Sequence, residues 1–347
     1  MEADYTTKSP EETVELGKKL ASRLQLGDTV LLYGDLGMGK THFTKGIAVG
    51  LGIKEVIKSP TYAYVNRYSI GRSQVYHYDL YRLQKGDDIT SIGLEETMED
   101  AQAINVVEWA DRLGDSLPSK YISVYFEGEG DERKISIEFV SPTIVPEESI
   151  VDFYEEWIMP MHIREHCKGV TKVATQLGEA YIKKGEIINL NLLYPAGMLH
   201  DLHRVCDIRE LDKSNFSEEV TDKQWTKWTR WRKEYQDMHH ADITAQILSQ
   251  KGFTDTAELI RLHMSKNIIL EPESYNTLEK KIMYYADKRV KHDQVVDLEE
   301  RFRDGYERYG QYDTKDGQEF FEKVKKATFK LEEELFKGLS IQPDTIT

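Results

Sequence analysis

The residues with the clearest chemistry are Gly34-Asp35-Leu36-Gly37-Met38-Gly39-Lys40-Thr41. Their glycine spacing, lysine and terminal hydroxyl are those of a loop that wraps a triphosphate. Glycines let backbone N–H groups turn onto phosphate oxygens, and a helix starting at the end of the loop adds partial positive charge. Lys40 would bridge the β- and γ-phosphates, and the Thr41 hydroxyl would ligate Mg²⁺. Cleaving the terminal phosphate also needs an acid to organise the metal, a group to place water and a segment that senses the γ-phosphate. Glu108, closing the apolar run Ile104-Asn105-Val106-Val107, suits the first task. Asp79, in His77-Tyr78-Asp79-Leu80-Tyr81-Arg82, suits the second. Ser59-Pro60-Thr61-Tyr62 is a hydroxyl-rich, proline-stiffened loop that suits the third.

These groups need elements to hold them. Thr29-Val30-Leu31-Leu32-Tyr33 reads as a buried strand before the loop, and residues 41–50 as a helix after it. Pro10-Glu11-Glu12 opens a helix behind the cap Ser9, with Val14, Leu16, Leu20 and Leu24 apolar, and Gly27-Asp28 ends it. Further strands are expected at 74–78, 103–108, 122–126 and 134–139, the last two as a hairpin across 128–131. This alternation predicts a three-layer α/β domain with a mixed sheet over residues 1–143. The stretch Ser141-Pro142-Thr143-Ile144-Val145-Pro146-Glu147-Glu148 breaks the pattern, and we place a linker at 144–150. Beyond it, amphipathic segments at 171–184, 241–251 and 278–288 predict a second, all-α domain over 151–340.

Composition narrows the classes. The 347 residues suit two domains. Lys and Arg total 46 against 61 Asp and Glu, a formal charge of −15, with about −7 of it before residue 146 and −8 after. Neither half is a general polyanion binder, so contact with nucleic acid would be local or made through a partner. Cys167 and Cys206 form no spaced set, and neither a signal segment nor a membrane-length apolar run is evident, so the expectation is a cytoplasmic protein.

The order of the phosphate loop, Ser59-Pro60-Thr61-Tyr62, His77-x-Asp79-x-Tyr81-Arg82 and Val107-Glu108-Trp109 closely resembles the TsaE family, the small bacterial ATPase of tRNA threonylcarbamoyladenosine synthesis. Thr13-Val14-Glu15-Leu16-Gly17 is also similar, and the resemblance covers about residues 5–140. Met38 departs from it, standing where a smaller residue is expected. The resemblance implies that residues 34–41, with Thr61 and Trp109, bind ATP, that Thr41 and Glu108 hold Mg²⁺, and that Lys40, Asp79 and Glu108 serve hydrolysis. Trp109 is a gating residue or a core anchor. Turnover would be coupled to a TsaD and TsaB transferase pair acting on adenosine 37 of ANN-decoding tRNAs, with tRNA contacted only indirectly. A P-loop kinase is the rival class, and the loop at 59–62 and the run 77–82 argue against it.

In the second half, His200-Asp201 follows the apolar run Leu193-Tyr194-Pro195-Ala196-Gly197-Met198-Leu199, with His166 upstream and Asp287 downstream. This order, over roughly 155–295, resembles HD-domain metal-dependent phosphohydrolases and implies His166, His200, Asp201 and Asp287 as ligands. Imidazole and carboxylate suit Mn²⁺, Fe²⁺, Co²⁺ or Ni²⁺ with open positions for water and phosphate. His240 and His263 resemble the extra ligands of binuclear members, with Asp201 bridging, and a single-ion site is the alternative. His162, His203, His239 and His292 are left outside the ligand set. Arg204 stands where relatives carry a lysine, and no Glu-Asp pair follows the doublet, which disfavours an alarmone hydrolase. The substrate expectation is a nucleotide or another phosphate ester, and the alternative is a non-catalytic regulatory module. Trp225, Trp228 and Trp231, interleaved with Lys and Arg, would stack on a nucleotide, cover the metal site, or pack one helical face into the core.

Overall fold

The computed structural model describes residues 2–60, 62–84, 92–114, 116–130, 132–308 and 314–347. Thr61, expected at the nucleotide, lies outside the described residues. Two compact units are present. The first comprises 1–142 together with 182–191, and the second comprises 143–181 and 192–347.

The first unit runs β1 (Ala3–Thr7), α1 (Pro10–Ala21), β2 (Thr29–Tyr33), α2 (Lys40–Gly50), β3 (Val65–Ile70), β4 (Ser73–Asp79), α3 (Leu94–Glu99), β5 (Ala103–Glu108), β6 (Tyr121–Glu129) and β7 (Glu132–Val140). The strands form one sheet in the order β1-β7-β6-β2-β5-β4-β3. Strands β6, β2, β5 and β4 are parallel to one another, while β1, β7 and β3 pair antiparallel at the flanks. The sheet is therefore mixed. Leu16, Leu20, Phe43 and Ile47 of α1 and α2 cover one face, and Leu94, Ala110 and Leu113 cover the other. That is the expected three-layer arrangement. The segment 182–191 joins this unit through Ile187 in the core, Tyr5 Oη donating to the Glu186 carbonyl at 3.0 Å, and Lys19 Nζ donating to the Gly185 carbonyl at 2.8 Å.

The central parallel strands are buried on both faces, so they read as continuous apolar runs. β2 and β5 are adjacent and parallel, as are β5 and β4, with Asp79 registered opposite Glu108. The carboxyl ends of three strands thus carry the phosphate loop, Asp79 and Glu108 along one edge, where open α/β sheets bind ligands.

The second unit is helical: α4 (Ile150–Glu156), α5 (Met161–Lys183, its last two residues lying in the first unit), α6 (Leu190–Leu199), α7 (Asp222–Glu234), α8 (His240–Gln250), α9 (Thr254–Arg261), α10 (Asn267–Leu270), α11 (Leu278–Asp287), α12 (Leu298–Arg308) and α13 (Lys315–Phe336), with a small hairpin of β8 (Val290–Lys291) and β9 (Gln294–Val295). Ahead of α4, Ile144 and Val145 are buried, and Thr143 Oγ1 donates to Asp255 at 2.6 Å. The tryptophan face of α7 belongs to the core. Trp228 is fully buried with Nε1 donating to the Ile158 carbonyl at 3.1 Å, and Trp231 packs its ring 4.8 Å from that of Trp157. Among the described residues, no helix is long and apolar enough to cross a membrane.

Candidate functional sites

The phosphate loop bends where its glycines allow. Gly34 has φ +132°, and a Cβ there would stand 2.5 Å from the Phe126 carbonyl oxygen, so only glycine fits between β2 and β6. Met38 is half-buried and packs its side chain onto the core cluster beneath α1 and α2. Its larger side chain therefore leaves the concave face of the loop, which is how the sequence departure is accommodated.

Glu108 is the centre of this first site. It is buried at the end of β5, where one carboxylate oxygen accepts from Thr41 Oγ1 at 2.8 Å. The other takes Thr44 Oγ1 at 3.1 Å and lies 2.8 Å from His77 Nε2. Both hydroxyls come from the first turn and a half of α2, so the helix that follows the loop also fixes the acid. Lys40 Nζ donates to the carbonyls of Gly34 and Asp35, and lies 3.8 Å above the Trp109 ring. Burial draws the Lys40 ammonium below its ordinary pKa, with Glu108 the main opposing charge. Trp109 occupies the left-handed region at φ +62°, and its indole also lies 5.0 Å from Tyr81. Asp79 accepts from Ser59 Oγ and, at 3.1 Å, from the Tyr81 amide. The structure thus gathers Lys40, Thr41, Trp109 and Glu108, and ties Asp79 to the Ser59 loop. His77 lies two residues before Asp79, so both share one face of β4; the sequence reading passed over its role against Glu108.

In the second unit, His166 comes from α5, His200 and Asp201 from the turn that follows α6, His240 from α8, His263 from the turn after α9, and Asp287 from α11. All six converge. Asp201 Oδ1 lies 2.8 Å from His240 Nε2, 3.7 Å from His263 Nε2 and 3.8 Å from His200 Nε2. Asp201 Oδ2 is 4.0 Å from His166 Nε2, and Asp287 Oδ1 is 3.3 Å from His166 Nε2 and 3.6 Å from His200 Nε2. Two three-residue groups with metal-binding spacing share Asp201: His166, His200, Asp201, and Asp201, His240, His263.

The imidazoles are oriented from behind. His166 Nδ1 meets the His292 carbonyl at 2.7 Å, His200 Nδ1 that of Gly197 at 2.8 Å, and His263 Nδ1 that of Ile260 at 2.7 Å. His240 Nδ1 meets Asp207 Oδ2 at 2.7 Å. A carbonyl or carboxylate on Nδ1 sets the N–H there and turns the Nε2 lone pair toward the common centre. His200 Nε2 is fully buried with no hydrogen-bond partner among the described residues. Four lone pairs aimed at two carboxylates, one of them otherwise unsatisfied, fit a pair of divalent ions. Asp207 is a residue that sequence reasoning missed. Burial opposes its ionisation, but His240 prevails and its pKa falls to about 2. His239, outside the expected ligand set, also lies within metal-binding reach of Asp207 and His240, while its Nδ1 accepts from the Ala241 amide. His203 is a core residue bonded to Thr244.

A triphosphate loop backed by an acid on the neighbouring parallel strand defines the first unit as a P-loop nucleotide-binding domain, and the histidine–aspartate cluster defines the second as a metal-binding helical domain. Comparison with known proteins makes this specific. The family model for threonylcarbamoyl adenosine biosynthesis protein TsaE matches residues 7–135, and that for the HD domain matches 163–290. The tRNA threonylcarbamoyladenosine biosynthesis protein TsaE of Bacillus subtilis is 39% identical over 38% of this chain and 80% of its own length. That of Nostoc sp. is 42% identical over 35% and 75%. A crystal structure of Bacillus subtilis YdiB is 33% identical over 40% of this chain and 86% of its own, with a TM-score of 0.34. The chain belongs to the TsaE family and carries an HD domain after the TsaE segment.

Proposed function

We propose that the first unit hydrolyses ATP in support of threonylcarbamoyladenosine formation on tRNA, working with a TsaD/TsaB-type transferase pair and reaching tRNA through it. The observation that carries this reading is the clamp on Glu108, whose oxygens meet Thr41, Thr44 and His77. Thr41 and Glu108 would hold Mg²⁺, which when bound neutralises charge developing on the phosphates. Lys40, supported by the loop carbonyls and the Trp109 ring, is placed to take phosphate oxygens. Asp79 fastens the Ser59 loop to the edge on which Glu108 stands, so it acts by positioning that loop. In a reconstituted complex, Asp79→Ala should lower partner-stimulated ATP hydrolysis at least tenfold, on the order of one lost positioning group; an unchanged rate would overturn this role.

We further infer that the HD domain is a phosphohydrolase for a nucleotide or other phosphate ester, using one or two ions such as Mn²⁺, Fe²⁺, Co²⁺ or Ni²⁺. The carrying observation is the set of four Nε2 atoms around Asp201 and Asp287, including the unpartnered His200 Nε2. Ions held there by His166, His200, Asp201, His240, His263 and Asp287 would supply Lewis acidity toward a phosphoryl oxygen and activate a water nucleophile. Asp201, shared by both groups, is the residue on which the chemistry would turn. Metal analysis should find transition metal in the purified chain and its loss in His200→Ala with Asp201→Ala; full occupancy in that variant would end the reading. Metal without any ester hydrolysis would instead favour a regulatory module.

A further inference from the structure

The metal cluster occupies only one part of a cavity of about 1010 Å³. That is the upper end of the usual range for small-molecule sites, about 300–1,000 Å³, and far more than a single phosphoryl group needs. The remaining wall comes from α12 and α13, through Arg301, Phe302, Gly305, Phe320, Phe321 and Val324. These residues lie beyond position 290, where the match to the HD family model ends.

Two properties of that wall point to a ligand. The first is charge. Arg204, Arg209, Lys266, Lys288 and Arg301 line the cavity against Asp201, Asp207, Asp287 and Asp316, three of which face the metal cluster or its histidines. In a chain of net charge −15, this is a locally cationic chamber before any metal ion is added. Arg301 is the sharpest case: its Nε is buried without a hydrogen-bond partner among the described residues, and its Nη1 lies 3.8 Å from Asp304. A planar guanidinium with an unsatisfied edge is suited to phosphate oxygens. The second property is aromatic surface. Phe302 and Phe321 pack edge to face at 5.6 Å, and Phe320 beside them is half-buried at the cavity wall.

We propose that the HD cavity binds a nucleoside polyphosphate, with the scissile phosphoryl group at Asp201 and its histidines, a second phosphate on Arg301, and the base against Phe320. This rests on the reading of the domain as a metal-dependent phosphohydrolase. Water adds across one phosphoanhydride: its oxygen bonds to phosphorus, the bridging P–O bond breaks, and the departing phosphate group takes the proton. Arg301 stabilises the charge on that departing group.

The test uses the full chain, metal-loaded and carrying Lys40→Ala to silence the phosphate loop. Adenosine triphosphate and p-nitrophenyl phosphate are compared as substrates, and the β,γ-methylene triphosphate analogue is used for binding. Arg301→Gln should lower the ratio of kcat/KM for the triphosphate over p-nitrophenyl phosphate about tenfold or more, the loss expected for one charge-assisted contact, with the metal content retained. It should weaken the analogue to the same degree, and Arg301→Lys should restore part of each. Phe320→Ala should weaken the analogue more than inorganic tripolyphosphate. An unchanged ratio and unchanged analogue affinity in metal-replete Arg301→Gln would overturn the proposal, and equal loss of analogue and tripolyphosphate in Phe320→Ala would overturn the placement of the base. If the parent chain hydrolyses neither substrate but Arg301→Gln still weakens the analogue, the hydrolase reading fails and the polyphosphate subsite stands.

Discussion

Asp207 has no motif around it, yet it decides what His240 can do. An imidazole offers a lone pair from Nε2 only when Nδ1 carries the proton, and a carboxylate 2.7 Å from Nδ1 enforces that tautomer while raising the basicity of the ring. Asp207 also accepts from the His240 amide at 3.0 Å, so one side chain fixes both the ring and the start of α8. The other three imidazoles use backbone carbonyls, which no substitution removes. His240 is therefore the ligand most open to genetic perturbation from behind. We expect Asp207→Ala to weaken metal binding about 10- to 100-fold, the usual cost of losing such a partner. The check is a metal titration of the purified variant, with circular dichroism to show that the helices persist. Unchanged affinity would mean that His240 is not a ligand or needs no support.

At the scale of elements, α1 and α2 of the first unit pack closely enough to leave no room for a side chain at two glycines. A Cβ on Gly46 would stand 2.0 Å from the Val14 carbonyl oxygen, and one on Gly17 would stand 2.2 Å from that of Phe43. The helices touch backbone to backbone, and α2 begins with Lys40 and Thr41. Gly46→Ala must push α2 away from α1 and so displace the residues that grip the phosphates. Overpacking of this kind costs about 1–3 kcal/mol. The expected outcome is a lower urea midpoint at unchanged slope together with weaker ATP binding; a stability loss without an affinity loss would show that the strain is absorbed away from the loop. Elements such as α2 were legible because the cue and the structure are local. β1 was not, since Ala3–Thr7 pairs with β7 more than a hundred residues later and no turn marks it. β3 was missed for a related reason: it is a flank strand with only Tyr68 buried, so its apolar alternation is weak. The expected helix at 171–184 begins ten residues earlier, at Met161, because Ile163, Cys167 and Val170 bury one stripe among polar neighbours.

Across the whole molecule, the same division between local and distant cues explains which site residues could be read. Glu108 ends an apolar run, and His200-Asp201 is an adjacent pair, so both announce themselves. The clasp of His77 on Glu108, the support of Asp207 for His240, and the reach of Arg301 into the metal cavity exist only once distant segments meet. The chain folds as two compact units, each large enough to bury its own core. Each would bind its own ligand in the native state only, so each ligand should stabilise its own unit by mass action. With free ligand about a thousandfold above Kd that term is roughly 4 kcal/mol, and for units of this size it moves a melting transition by roughly 8–16 °C. Mg²⁺ with ATP should therefore raise the transition of the first unit and leave that of the second nearly in place, and a transition metal should do the reverse, with a chelator undoing it. Scanning calorimetry of the full chain reads both shifts. Lys40→Ala should abolish the first shift, and His200→Ala the second. A metal-induced shift that survives His200→Ala with Asp201→Ala would place the ion elsewhere, at Asp207, His239 and His240 for example, because Asp201 is the carboxylate that the groups His166, His200, Asp201 and Asp201, His240, His263 share.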